Sequence, residues 1–269
     1  MILFPNAKIN IGLNIVSKRP DGYHNLESIF YPIAIKDALE VVEADKLQFS
    51  SSGIVIPGNA NDNLCLKAYH LLKKDFTKLP SVKIHLHKHI PIGAGLGGGS
   101  ADASFFIRLL NQKFSLGMEN SQMEQYASKI GSDCAFFIQN KPAYAIEKGD
   151  QLSSLDLDLS IYFVVLVMPD VQVSTAEAYQ DVITAPVSVS LTELIKLPVA
   201  DWKLHIKNDF EPSVFSKYPV IAKIKATLYD AGALYASMSG SGSSVYGIFR
   251  DPLKFPELEK DNKVYYLKS

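Results

Sequence analysis

Cysteine is scarce in this chain of 269 residues: Cys65 and Cys134 are the only two, and they are far apart. One bridge at most is possible, which excludes a disulfide-stapled scaffold, and no close cysteine pair exists for a thiolate zinc site. Net charge is lacking too. Lys and Arg number 27 against 28 Asp and Glu, a formal charge of −1, so no general basic field would hold nucleic acid or an anionic membrane. Long apolar runs are absent; the longest, residues 161–168, has the length of a buried strand and not of a membrane span. The opening Met1-Ile2-Leu3-Phe4-Pro5-Asn6 has no basic region and no signal-like apolar core. The expectation is a cytoplasmic globular protein with no nucleic-acid or membrane partner.

Glycine is concentrated in one place. Five glycines, at 93, 95, 97, 98 and 99, fall within seven positions of Pro91-Ile92-Gly93-Ala94-Gly95-Leu96-Gly97-Gly98-Gly99-Ser100-Ala101-Asp102-Ala103. Before them, Val82, Ile84 and Leu86 alternate with Lys83, His85 and His87, a strand pattern. After them, Ala103, Phe106, Ile107 and Leu110 mark a helix ending near Gln112. A strand, a glycine loop and a helix N-terminus together place backbone N–H groups and a positive dipole end where a phosphate can sit. Gly93-x-Gly95-x-x-Gly98 formally matches the dinucleotide fingerprint. Its acidic partner about 20 residues on would be Glu119, which lies in a polar segment before a helix cap. No Lys-Ser/Thr follows the glycines, and neither His-Arg-Asp nor Asp-Phe-Gly occurs, so Walker A and protein-kinase readings fail.

The rest of the chain reads as mixed helix and strand. Ile9, Ile11, Leu13 and Ile15 alternate with Lys8, Asn10, Gly12 and Asn14, a strand with Lys8 and Asn10 on the non-core face. Arg19-Pro20-Asp21-Gly22 is a turn, leading through Tyr23 and His24 into a strand over 26–34. A third β region covers 38–49, and a helix covers 63–74. Ser121-Gln122-Met123-Glu124 is a capping box opening a short helix that Gly131 closes. A domain boundary falls between 149 and 158. Beyond it come a strand at 161–168, a helix at 218–231 capped by Gly232, and strands at 234–238 and 245–249. Between those two strands lies Ser239-Gly240-Ser241-Gly242-Ser243-Ser244. On residue type alone, Asp133 is a turn or cap residue, Lys8 a surface lysine, and Tyr23 and His24 hairpin-end residues. Lys88, in register with Ile84 and Leu86, snorkels at a strand end unless a pocket lies above it. The His85, His87 and His89 stripe reads as surface and not as a metal site. Asp102 either favours the helix dipole or assists Mg²⁺.

Pro91, Gly93, Gly95, Leu96, Gly97 to Gly99 and Ser100, together with Met238 to Ser244, resemble the second and third motifs of the GHMP kinases. Four further segments resemble one branch of that family, which phosphorylates a cytidine-diphosphate-linked alcohol. They are Pro5-Asn6-Ala7-Lys8-Ile9-Asn10, Arg19-Pro20-Asp21-Gly22-Tyr23-His24, Gly131-Ser132-Asp133 and Asn208-Asp209-Phe210-Glu211-Pro212. After Asp133 the branch has Val-Pro where this chain has Cys134-Ala135. The resemblance implies an α+β, two-lobed GHMP kinase fold. Its ribosomal-S5-domain-2-like, ATP-binding N-terminal lobe would span 1–152 and its ferredoxin-like C-terminal lobe 153–269, with substrate in the cleft between them. It implies ATP and Mg²⁺, a small-molecule cytidine diphosphate substrate, and a monomer or weak homodimer. Asp133 becomes the catalytic base and Lys8 its electrostatic partner. Gly93, Ala94, Gly95, Leu96, Gly97, Gly98, Gly99 and Ser100 cradle the phosphates, Lys88 reaches the ATP, and Asn63 and Leu64 border the adenine. Tyr23 and Tyr179 stack on cytosine while His24 bonds its edge, with Asn10 and Thr175 as polar contacts. No residue is assigned as a metal ligand.

Overall fold

The computed structural model describes residues 1–268. Their strands are β1 (Ile2–Leu3), β2 (Asn6–Lys18), β3 (His24–Lys36), β4 (Ala38–Glu43), β5 (Gln48–Gly53), β6 (Val82–Lys88), β7 (Ala143–Glu147), β8 (Gln151–Ser154), β9 (Phe163–Pro169), β10 (Tyr235–Met238), β11 (Val245–Phe249) and β12 (Asn262–Lys268). The α-helices are α1 (Leu64–Asp75), α2 (Gly98–Phe114), α3 (Asn120–Ser128), α4 (Phe136–Gln139), α5 (Thr175–Ala178), α6 (Leu191–Leu194), α7 (Trp202–His205), α8 (Glu211–Lys217), α9 (Pro219–Asp230) and α10 (Pro256–Glu259). The chain forms two compact units. The first comprises Met1–Ala7, Ile35–Ile92 and Gly97–Lys141; the second comprises Lys8–Ala34, Gly93–Leu96 and Pro142–Ser269. The units interleave along the chain, whereas the expected boundary at 152/153 cuts it once.

The first unit is a sheet in the order β1-β4-β6-β5. Alternation decides its faces: Val82, Ile84 and Leu86 of β6 and Leu39 and Val41 of β4 are fully buried. Helix α2 runs against β1 and β4 and packs on α1 and α3. Its Phe106, Ile107, Leu109 and Leu110 are wholly buried, a stripe wide enough to serve sheet and helices together.

The second unit holds two sheets, β2-β3-β7-β8 and β10-β11-β9-β12. The latter is antiparallel throughout. Numbered along the chain its strands lie in the order 4-1-3-2, with α9 entering between the first two and α10 between the last two, the ferredoxin-like arrangement. Its core also takes Leu13 and Ile15 of β2, packed with Val165, Val167, Phe210, Ile221 and Met238. A parallel bridge from Leu13 to Asn208 joins the same stretches. These contacts explain why an N-terminal strand belongs to a unit made mostly of C-terminal chain.

Four local expectations change. The β region at 38–49 is two strands, β4 and β5, and β5 runs parallel to β6. The box opening α3 is Glu119 with Gln122, two residues earlier than Ser121, so Glu119 is spent as a helix cap. The stretch at 149–158 includes β8, which pairs with β7 as a hairpin. The Lys8–Asn10 face of β2 is covered, with both residues 3% exposed.

Candidate active site

In the first unit the glycines open α2. Gly97 is its N-cap, left-handed at φ 68° and without a side-chain cap, so the N–H groups that follow are left for a ligand. At Gly98 the wall behind is close: a Cβ would lie 2.8 Å from Ile90 Cγ2 and 3.0 Å from Lys88 Nζ. Gly99 would meet only Leu64 Cδ1, at 3.7 Å. Leu64 therefore stands beside the helix entrance, while Asn63 caps α1 by accepting the Cys65 N–H at 2.9 Å.

The turn bearing Asp133 rests on the same helix start. Ser104 Oγ donates to Cys134 O at 2.6 Å, and a Cβ on Gly131 would stand 4.0 Å from Ser100 Oγ. Asp133, half-buried, accepts from Ser132 Oγ at 3.3 Å. Burial pushes the Cys134 thiol up to about 11, so its neighbour is a neutral, apolar group. The structure thus brings Ser100 and the turn that carries Asp133 to the glycine-rich helix entrance within one unit.

Lys88 is 3% exposed and does not snorkel. Its ammonium sits between Asp37 Oδ2 at 2.5 Å and Asp102 Oδ2 at 2.7 Å. Asp102 is therefore a buried partner of Lys88, not a helix-end surface residue. The histidine stripe is occupied by serines: His85 Nδ1 and Nε2 lie 2.9 and 3.0 Å from the hydroxyls of Ser50 and Ser52, and His87 Nδ1 lies 3.0 Å from Ser52 Oγ. Among the described residues no group of three or more His, Cys, Asp or Glu could hold a metal ion.

In the second unit Lys8, Asn10 and residues 93–96 form one construction with the loop at 239–244. Lys8 Nζ donates to Asn10 Oδ1 at 2.5 Å and lies 4.6 Å from the centre of the Phe30 ring. Asn10 Nδ2 donates to Ser28 Oγ at 2.8 Å. The Lys8 N–H donates to Leu96 O at 3.0 Å. Ser239 Oγ donates to Gly95 O at 2.9 Å and accepts the Asn10 N–H at 3.1 Å. Gly95 is left-handed at φ 75°, and a Cβ there would fall 1.9 Å from Ser239 O, an approach only glycine allows. The two glycine loops are thus buttresses for each other.

Asn208, Asp209 and Glu211, motif residues given no role from sequence, hold this construction. Asn208 Nδ2 donates to both Met238 O and Gly240 O at 2.8 Å. Asp209 Oδ2 accepts the Ile15 N–H at 2.7 Å. Glu211 Oε1 accepts the Met238 N–H at 2.9 Å, and its Oε2 accepts from Lys225 Nζ at 2.6 Å. Only the motif itself signals them; polar residues beside Phe210 otherwise read as a loop.

The aromatic residues separate. Tyr23 is 63% exposed, with Lys148 Nζ 5.4 Å from its ring centre. His24 and Tyr179 stack directly on each other, centroids 4.6 Å apart and planes at 15°. Phe210 braces Tyr179 edge-on at 4.8 Å. Thr175, in the first turn of α5, lies 3.4 Å from Ser241 Oγ.

Two sequence families match the chain in succession: the GHMP kinases N terminal domain over residues 63–141 and the GHMP kinases C terminal domain over residues 195–262. A 4-diphosphocytidyl-2-C-methyl-D-erythritol kinase of Parabacteroides distasonis is 54% identical over 257 residues, 96% of this chain and 94% of that protein. One of the same name from Bacteroides thetaiotaomicron is 52% identical over 272 residues, 100% and 99% of the two chains. A crystal structure of 4-(cytidine 5'-diphospho)-2C-methyl-D-erythritol kinase superposes with a TM-score of 0.82 at 25% identity, covering 99% of this chain and 98% of that one. Likeness of this depth, running through both glycine loops and the turn at Asp133, places the chain among the GHMP kinases, in the family of 4-diphosphocytidyl-2-C-methyl-D-erythritol kinases.

Proposed function

We propose that this chain transfers the γ-phosphate of ATP to the 2-hydroxyl of 4-diphosphocytidyl-2-C-methyl-D-erythritol, in the non-mevalonate (MEP) route to isoprenoids. The observation that carries this reading is the match, along the whole chain at about half identity, to kinases of that name. Phosphoryl transfer asks mainly for positioning and charge neutralisation. Gly93 to Ser100 cradle the phosphates, and Asn63 and Leu64 border the adenine. Asp133 takes the proton of the attacking hydroxyl, and Lys8 balances the charge on the oxygens.

Tyr23, His24 and Tyr179 hold cytosine, with Asn10 and Thr175 as polar contacts. The base enters on the Tyr179 face that the His24 imidazole covers, and the displaced imidazole turns to the base edge. Mg²⁺ carried on a triphosphate needs few protein ligands, which fits a chain whose described residues hold no multi-carboxylate cage; bound there it would neutralise charge on the phosphates.

The same reading covers a cytoplasmic monomer or weak homodimer without nucleic-acid or membrane partners, and an N-terminal ATP-binding domain ending at 152. The two buried cysteines are unbridged, and among the described residues no helix is long and apolar enough to cross a membrane. The two family matches fall on opposite sides of the proposed boundary. Mg²⁺-dependent ADP formation, measured with the cytidine compound, homoserine and mevalonate in parallel, tests the substrate. Turnover with the cytidine compound alone is expected; turnover with another alcohol instead would discard the cytosine reading.

A further inference from the structure

Three ionisable side chains lie buried behind the entrance to α2, and the chemistry above uses none of them directly. Asp37 links β3 to β4, Lys88 ends β6, and Asp102 lies in the second turn of α2. All three are at most 3% exposed. Asp37 Oδ1 accepts the N–H groups of His89 at 2.6 Å and Ile90 at 2.7 Å, fixing the chain just before Pro91 and the glycines. Its Oδ2 and Asp102 Oδ2 share the Lys88 ammonium. One cluster therefore grips both arms of the loop: residues 88–90 going in and residues 98–102 coming out. The first turn of α2 rests on it, since a Cβ on Gly98 would lie 3.0 Å from Lys88 Nζ.

Two carboxylates and one ammonium would leave a net negative charge in the interior, and an uncompensated buried charge is costly. The two acids are not equivalent. Asp37 accepts three hydrogen bonds, all suited to an ionised carboxylate. Asp102 accepts one, from Lys88, and its Oδ1 is buried without a partner. The Cys65 thiol of α1, buried beside the cluster, is pushed far up by burial and then by Asp102, so it adds no charge. Burial, opposed by Lys88 and reinforced by the adjoining Asp37, holds the Asp102 carboxyl well above the usual range.

We propose that Asp37, Lys88 and Asp102 are a positioning triad for the phosphate-binding turn of α2, with the proton of Asp102 making the cluster neutral. Lys88 then acts on ATP through Gly98 and the loop, not by touching the nucleotide. The proposal rests on reading Gly97 to Ser100 as the phosphate cradle.

The test is ATP affinity by calorimetry, which needs no alcohol substrate, together with infrared difference spectra. Asp102→Asn, a neutral isostere, should bind ATP within about twofold of wild type, and the wild-type-minus-variant spectrum at neutral pH should show the carbonyl band of a protonated acid. Asp37→Asn/Lys88→Met removes both charges together, so that neither is left buried alone. It should fold and bind ATP at least tenfold more weakly. An absent acid band, or an Asp102→Asn loss as large as that of the double variant, would overturn the neutral assignment. A folded double variant with wild-type affinity would overturn the positioning role. Wild-type protein that binds no ATP would instead refute the cradle reading and the positioning role with it, while the acid band would still report on the proton.

Discussion

Replacing Gly95 by alanine should separate the two glycine loops. The added Cβ would stand 1.9 Å from the Ser239 carbonyl oxygen and 3.2 Å from Gly242 O, at a φ of +75°. The left-handed backbone alone costs alanine about 1–2 kcal/mol. Parting the loops breaks the Ser239–Gly95 bond, about 1 kcal/mol more, and strains the Ser244 N–H bond to Ala94 O. Alanine's smaller unfolded-state freedom returns about 0.4–1 kcal/mol, so destabilisation wins by about 2 kcal/mol. That corresponds to a fall in Tm of roughly 4–8 °C for a chain of this size. With residues 93–100 as the proposed phosphate cradle, displacing that backbone by about an ångström should also lower kcat/KM for ATP by about 10²-fold. Gly93→Ala is the control: φ is +68° but no atom lies within 4 Å of its Cβ, so only the backbone cost applies. Thermal unfolding and ATP titration of both variants check this. Equal effects at 93 and 95, or ATP kinetics unchanged at 95, would refute the argument that loop contact shapes the cradle.

Three further outcomes follow from the site. Asp133→Asn should lower kcat by about 10²–10⁴-fold, the usual worth of a general base, while ATP affinity measured by calorimetry stays within a few fold; near-normal kcat would refute the assignment. Tyr179→Ala should raise KM for the cytidine substrate by about 10–100-fold, since stacking on one base is worth about 1–3 kcal/mol, and leave KM for ATP unchanged; a shift in both would mark it as structural. Burial, helped by Lys18, lowers the His24 pKa. Below the ordinary histidine value the unfolded chain then takes up more protons at this site than the folded one. Its contribution is therefore present at neutral pH and is lost as pH falls through about 6.5 and below. Tm against pH should fall less steeply over that range in His24→Gln, and parallel curves would contradict the linkage.

Local pattern made the central strand, loop and helix legible. Alternation in β6, the glycines and the stripe on α2 all act within a few residues, as does the register that put Lys88 on the apolar face. What holds Lys88 there was not legible, because its carboxylates come from positions 37 and 102 and leave no local trace. The Lys8 face failed for a related reason: polar alternation says which side of a strand a residue takes, not whether other chain covers that side. Asn10, Ser239 and Tyr246 meet across more than 200 residues. The hairpin at 143–154 carries no local signal because Gln151-Leu152-Ser153-Ser154 is short and polar. Its pairing with β7 decides the outcome, as tertiary context often does for strands. Strand β12, Asn-Lys-Val-Tyr-Tyr-Leu-Lys, shows little alternation and became a strand through its pairing with β9. In the aromatic group, sequence resemblance named His24 and Tyr179, but only the structure shows their rings in contact.

Product identity decides whether the 2-hydroxyl of the cytidine substrate is the phosphoryl acceptor. The protein would be incubated with ATP, Mg²⁺ and 4-diphosphocytidyl-2-C-methyl-D-erythritol, and the product examined by phosphorus NMR with carbon coupling. One new phosphomonoester, coupled to carbon 2 of the methylerythritol, is expected beside an intact diphosphate. ADP formed with only inorganic phosphate, or a phosphomonoester on another carbon, would contradict it.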